Sequence, residues 1–128
     1  MNVLQMAEEQ VRQHPSLRYE RHPHALRVEP PNPNGFPVSL EVTKEGFSVR
    51  LGGWQELFEE ERDALECFQF AFSPHCRLRV GSRGGVDCEW ALEFRDGGVW
   101  HEDSSTDKKC FQVWKSKEIR YLHNIIHD

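Results

Sequence analysis

The 128-residue chain has no long apolar run, so no segment reads as a membrane-spanning helix. It also has no basic surplus. Its net charge is −5, whereas a nucleic-acid binder usually concentrates cations on one face. Neither a membrane nor a nucleic acid is therefore an expected partner. Residues 1–9 have no basic n-region and are interrupted early by acids, unlike a secretory signal, so the expected location is cytoplasmic. The four cysteines, Cys67, Cys76, Cys88 and Cys110, contain no Cys-x-x-Cys pair, and in that compartment they are expected to be reduced thiols. No metal-ligand set is complete in sequence, and no cofactor motif is present; neither group is expected.

What is present is aromatic. The apolar fraction is 38%, yet there are eight Phe and four Trp, and each large ring buries on the order of 150–250 Å². The length fits one domain, residues 1–128, with a core built around a few rings.

Residues 1–14 read as a helix, with Val3, Leu4, Ala7 and Val11 on one face and His14-Pro15 as its stop. Residues 25–29 suit a short strand, and the proline-rich stretch 29–37 is a loop. Residues 38–51 form the clearest hairpin: Val42 should face Phe47 and Leu40 should face Val49 across the turn at Gly46. Residues 54–72 read as the main helix, with Trp54, Leu57, Phe58, Leu65, Phe68 and Phe72 on its apolar side. Two residues misfit. Glu61 projects onto the apolar side, so either the helix starts later or Glu61 is a half-buried acid. Phe70 projects away from it.

A meander follows. Pairing Val80 with Val86 sets Arg79 against Asp87 and Arg77 against Glu89. Asp96-Gly97 marks a second hairpin, with Phe94 facing Val99 and Trp100 on the outer face opposite Glu93. Residues 110–114 suit a last strand, and 117–128 lean towards a helix. Strands run together instead of alternating with helices. The expected fold class is therefore α+β: an antiparallel sheet of about five to six strands, packed on one face by the long central helix and the N-terminal helix.

Candidate chemistry is sparse. His22-Pro23-His24 and the His123/His127 pair invite a metal, but each lacks further ligands. His75-Cys76 places its two side chains on opposite faces of a strand, and Cys76 keeps phase with Leu78 and Val80 as a core residue. His101-Glu102-Asp103 gathers acid–base groups at a strand end. The loop 81–85 has the glycines of an anion cradle but leads into a strand, not a helix. The acids between Glu56 and Glu66 are a solvated face or a contact for a basic partner.

These features predict a non-catalytic binding or protein-interaction domain, with Phe70, Trp100 and Trp114 as interface residues. Its partner would be another protein or a second copy in a homodimer. The alternative is a small-molecule-binding domain or enzyme with a pocket between the sheet and the central helix, using Glu61, His75, Arg83 and His101.

Overall fold

The computed structural model describes residues 2–108 and 114–126. The chain opens with helix α1 (Val3–Arg12) and a five-strand meander: β1 (Tyr19–His22), β2 (Ala25–Val28), β3 (Val38–Val42), β4 (Phe47–Leu51) and β5 (Trp54–Phe58). Helix α2 (Glu61–Phe70) leads into β6 (Cys76–Arg83), β7 (Val86–Asp96), β8 (Val99–Asp107) and β9 (Lys117–Leu122). The class is α+β, with two antiparallel sheets instead of one. The first has the order β1-β2-β3-β4-β5 and the second β8-β7-β6-β9.

α1 forms because Asn2 caps it. The Asn2 side chain accepts from the Gln5 amide at 2.9 Å, and the Gln5 side chain accepts from the Asn2 amide at 3.0 Å. Its stripe Val3, Leu4, Ala7 and Val11 is buried against β2 and α2. The β3–β4 register is the expected one, with Val42 opposite Phe47 and Leu40 opposite Val49.

The long central helix is corrected. Residues 54–58 are a strand, because Gly52, at φ 59°, turns the chain back and lets Trp54 pair with Leu51. Gly53 is held to glycine by the Trp90 indole, which occupies the space a Cβ would need. Trp54 is buried, whereas Leu57, expected on an apolar helix face, is 52% exposed on the other side of β5. α2 is a ten-residue helix against β3, β4 and β5.

Two hairpin registers are also corrected. Gly84 and Gly85 form the turn, so Arg83 pairs with Val86, and a bulge between Gly81 and Ser82 sets Val80 opposite Trp90 and Arg77 opposite Glu93. Gly97 and Gly98 form the next turn, pairing Asp96 with Val99, Phe94 with His101 and Arg95 with Trp100. Both slips are even over Cys76–Val80 and over the part of β7–β8 next to the turn, so those side chains keep their expected face; past the bulges at Gly81/Ser82 and Leu92/Glu93 the offset is odd, and Asp87, expected opposite Arg79, pairs with Ser82 and reaches Arg120 instead. Residues 117–122, expected as the start of a helix, are strand β9, paired with β6. The strand expected at 110–114 falls mostly on residues outside those described.

Both sheets and both helices meet in one apolar cluster. The sheets are joined where β5 meets β8. The Trp54 Nε1 donates to Ser104 Oγ at 3.1 Å, and the Gln55 amide donates to Thr106 Oγ1 at 3.1 Å. The proline-rich loop is no linker. Phe36 donates its amide to the buried Asn124 Oδ1 at 2.7 Å, and His123 donates its amide to the Asn34 carbonyl at 2.9 Å, which straps the C-terminal segment down.

The strand assignment for 54–58 has a direct consequence for stability. Trp54→Ala should cost about 3–5 kcal/mol. Leu57→Ser should cost no more than about 0.5 kcal/mol, as for exposed positions generally. Urea unfolding of both variants checks this; a helix with an apolar face at Leu57 would make the two costs comparable.

Candidate functional site

Alternation along β5 decides where the site forms. Because Trp54 points into the core, Glu56 and Phe58 share its side of the strand. α2 starts only at Glu61, so a carboxylate stands on the core-facing side at the sheet edge. Opposite it, β8 bulges. Leu92 pairs with Ser104 and Glu93 with Glu102, which leaves Asp103 as the extra residue, turned into the same groove as Glu56.

The groove has a volume of about 490 Å³. Its carboxylates are Glu56 and Asp103 together with Asp63 and Glu66 from α2. Its floor is apolar, from Phe58, Phe70, Leu92 and Phe94. Among the described residues no Lys, Arg or His lines it. Glu66 lies 3.9 Å from the exposed Arg62, but among the described residues Glu56, Asp63 and Asp103 have no cationic partner. Burial, and then the charge of Asp103, hold the Glu56 carboxyl above its ordinary range. At the back of the groove the Cys67 thiol is pushed up to about 12, mainly by burial and further by Glu56 and Asp103. Burial likewise pushes Cys76 up to about 12. Both thiols stay protonated near neutral pH, which is the wrong state for a nucleophile. Cys88 is disulfide-bonded, which corrects the expectation of a reduced thiol at that position; Cys110 lies outside the described residues.

The other face of the β7–β8 hairpin is built differently. Glu93, whose side chain is 6% exposed, accepts from Arg77 Nε at 2.6 Å and from Arg79 at 2.7 Å, and Arg79 also reaches Glu102 at 2.5 Å. The Arg77 guanidinium then lies between two rings, 4.3 Å from the Trp100 centroid and 4.0 Å from that of Tyr121. Arg95 sits over the same indole at 5.6 Å. His123 meets Trp100 edge-on at 5.7 Å, and burial, then Arg77 and Arg95, lower its pKa.

The residues singled out from the sequence are scattered over these surfaces. Phe70 is half-buried on the groove floor. Trp100 lies on the outer face, opposite Arg95. Trp114 is 74% exposed, at the approach to β9. Glu61 is the first residue of α2, so the helix does start later than the apolar stripe suggests; its side chain is half-buried there but does not line the groove. His75 is exposed between α2 and β6, and Arg83 ends β6, where it donates to the Lys115 carbonyl at 2.7 Å. The length of β6 alone keeps these two roughly 25 Å apart. His101 stacks on Phe94 with centroids 5.3 Å apart. The His101-Glu102-Asp103 group is split, with His101 on Phe94, Glu102 on Arg79 and Asp103 in the groove. His22 contacts Glu20 at 3.4 Å, and His127 lies outside the described residues. Among the described residues no three His, Cys, Asp or Glu side chains are grouped to hold a metal ion, and no helix is long and apolar enough to cross a membrane.

Glu56 was visible in the sequence only as one acid in a run. Its signal is its two-residue phase with Trp54 and Phe58, which appears once 54–58 is read as a strand. Asp103 had no such signal, because a bulge decides its direction.

The raised pKa of Glu56 gives a pH dependence of known sign. The fold favours the protonated carboxyl. That contribution is complete below the ordinary carboxyl range and is lost as pH rises through the raised value. Glu56→Gln should therefore raise stability near neutral pH and flatten this part of the profile, read as urea midpoints against pH. Superimposable profiles for the two proteins would contradict the assignment.

Comparison with known proteins finds no matching family model, no matching curated protein and no matching solved structure. The functional reading therefore rests on the chemistry of the groove.

Proposed function

We propose that the protein is a non-catalytic binding module whose groove takes a segment of another polypeptide that presents a cationic side chain flanked by apolar ones. One observation carries this reading: carboxylates without cationic partners stand over a phenylalanine floor. Water alone solvates such carboxylates well but leaves the aromatic floor exposed. A cation carried on an apolar stem satisfies both, as Arg and Lys side chains do when they lay their stems along apolar surface. The half-buried Glu56 strengthens the attraction, since charges away from bulk water are screened less.

A second reading has one observation in its favour. A carboxyl held above its ordinary range beside another carboxylate is an acid–base pattern, and about 490 Å³ suits a small ligand. The absence of any histidine, lysine or arginine lining the groove among the described residues, and the protonated state of Cys67, favour binding over turnover.

Fluorescence anisotropy with a labelled, end-blocked peptide of alternating arginine and leucine tests the proposal, with the glutamate–leucine counterpart as control. The arginine peptide should bind and the counterpart should not. Binding should weaken by about tenfold or more in the Glu56→Gln, Asp103→Asn double variant and should fall with added salt. Equal affinity for both peptides, or an unchanged affinity in the double variant, would exclude the groove as the site.

A further inference from the structure

The structure points to a second copy of this chain as the occupant of the groove; this inference rests on the binding reading above and names its partner. Among the described residues the groove has no cation, and the same molecule displays an unspent one. Among the described residues Arg95 has no carboxylate partner; its guanidinium sits over the Trp100 ring at 5.6 Å. Arg95 is exposed on the outer face of the β7–β8 hairpin. Beside it is Trp100; Tyr121, 46% exposed, lies beyond Arg77 on the same face, and at the hairpin end Val99 is 57% exposed. That corner therefore supplies a guanidinium with flanking apolar surface, the combination the groove requires. Asp96, next in the chain, does not oppose the contact, because alternation points it to the opposite face from Arg95.

The hairpin is also free to reach. A side-chain carbon added at Gly97 or Gly98 would meet nothing within 4 Å, so the turn projects from the body of the protein. Behind Arg95 the corner is prebuilt. The buried Glu93 fixes Arg77, and Arg77 fixes the Trp100 and Tyr121 rings on either side of it, so few rotamers remain to be ordered on docking. Groove and corner lie on opposite faces of one hairpin, so each copy offers both halves of the contact.

Sedimentation velocity of the full chain from about 5 to about 500 µM, at low and high salt, tests this. The wild-type protein should associate as concentration rises, and added salt should reverse it. Arg95→Glu and Asp103→Lys, both at exposed positions, should each remain monomeric over the same range, with circular dichroism verifying that each is folded. An equimolar mixture of the two should associate again. The native corner of one variant then meets the native groove of the other, and the reversed charges meet in the second contact. A monomeric wild-type protein at every concentration, association unaffected by either variant, or a mixture that stays monomeric would overturn the inference. Retained binding of the arginine–leucine peptide by a monomeric protein would leave the groove reading standing while removing the second copy as its occupant.

Discussion

The burial of Trp54 is the constraint on which the rest of the arrangement depends. Its ring fills the space between the two sheets, and its indole N–H is satisfied by Ser104 of the second sheet. A buried indole without that acceptor would carry the penalty of an unmade hydrogen bond, about 1–3 kcal/mol. The Gln55–Thr106 bond continues the seam one residue further on. With Trp54 fixed inward, the period of two in a strand leaves no choice for Glu56, which must face the same way. The groove is thus a by-product of closing the two sheets. It stays open because α2 begins five residues after Glu56 instead of covering it.

Two carboxylates, Glu93 and Glu56, show how differently the same chemistry is treated in one molecule. Glu93 is almost fully buried, and two guanidinium groups answer it at 2.6 and 2.7 Å. That pairing meets the cost of removing a charge from water and locks the outer face of the second sheet. Glu56 is only half-buried, has no cationic partner among the described residues, and shares its groove with Asp103. A fold that needed only stability would place an apolar side chain there, in phase with Trp54 and Phe58. Positions that break local rules without compensation inside the fold are where function is to be sought.

The sequence made some of this legible and hid the rest for identifiable reasons. The stripe of α1 and the β3–β4 register were readable because one side of each is buried and the other wet, so periodicity alone decides them. In the second sheet, periodicity fixed which side chains share a face only up to the two bulges, and the turns and bulges fixed register. The Gly84-Gly85 turn and the Gly81/Ser82 bulge together replace Arg77–Glu89 by Arg77–Glu93 and so create the arginine–aromatic stack. Residues 54–58 misled because Trp54, Leu57 and Phe58 also fit a helical stripe. Only the burial of Trp54 and the exposure of Leu57 separate the two periods, and burial is a tertiary property. The groove shared this fate. Phe70 misfits the helical stripe, and the reason, a floor without a cover, lies in the strand, the bulge and the helix that together frame the groove.

The most direct test of the account is carboxyl-carbon NMR titration of Glu56 in the folded protein, alone and saturated with the arginine–leucine peptide. The account predicts that Glu56 titrates above the ordinary glutamate range in the free protein and that its pKa falls when a cation enters the groove. A Glu56 that titrates in the ordinary range and does not respond to the peptide would contradict it.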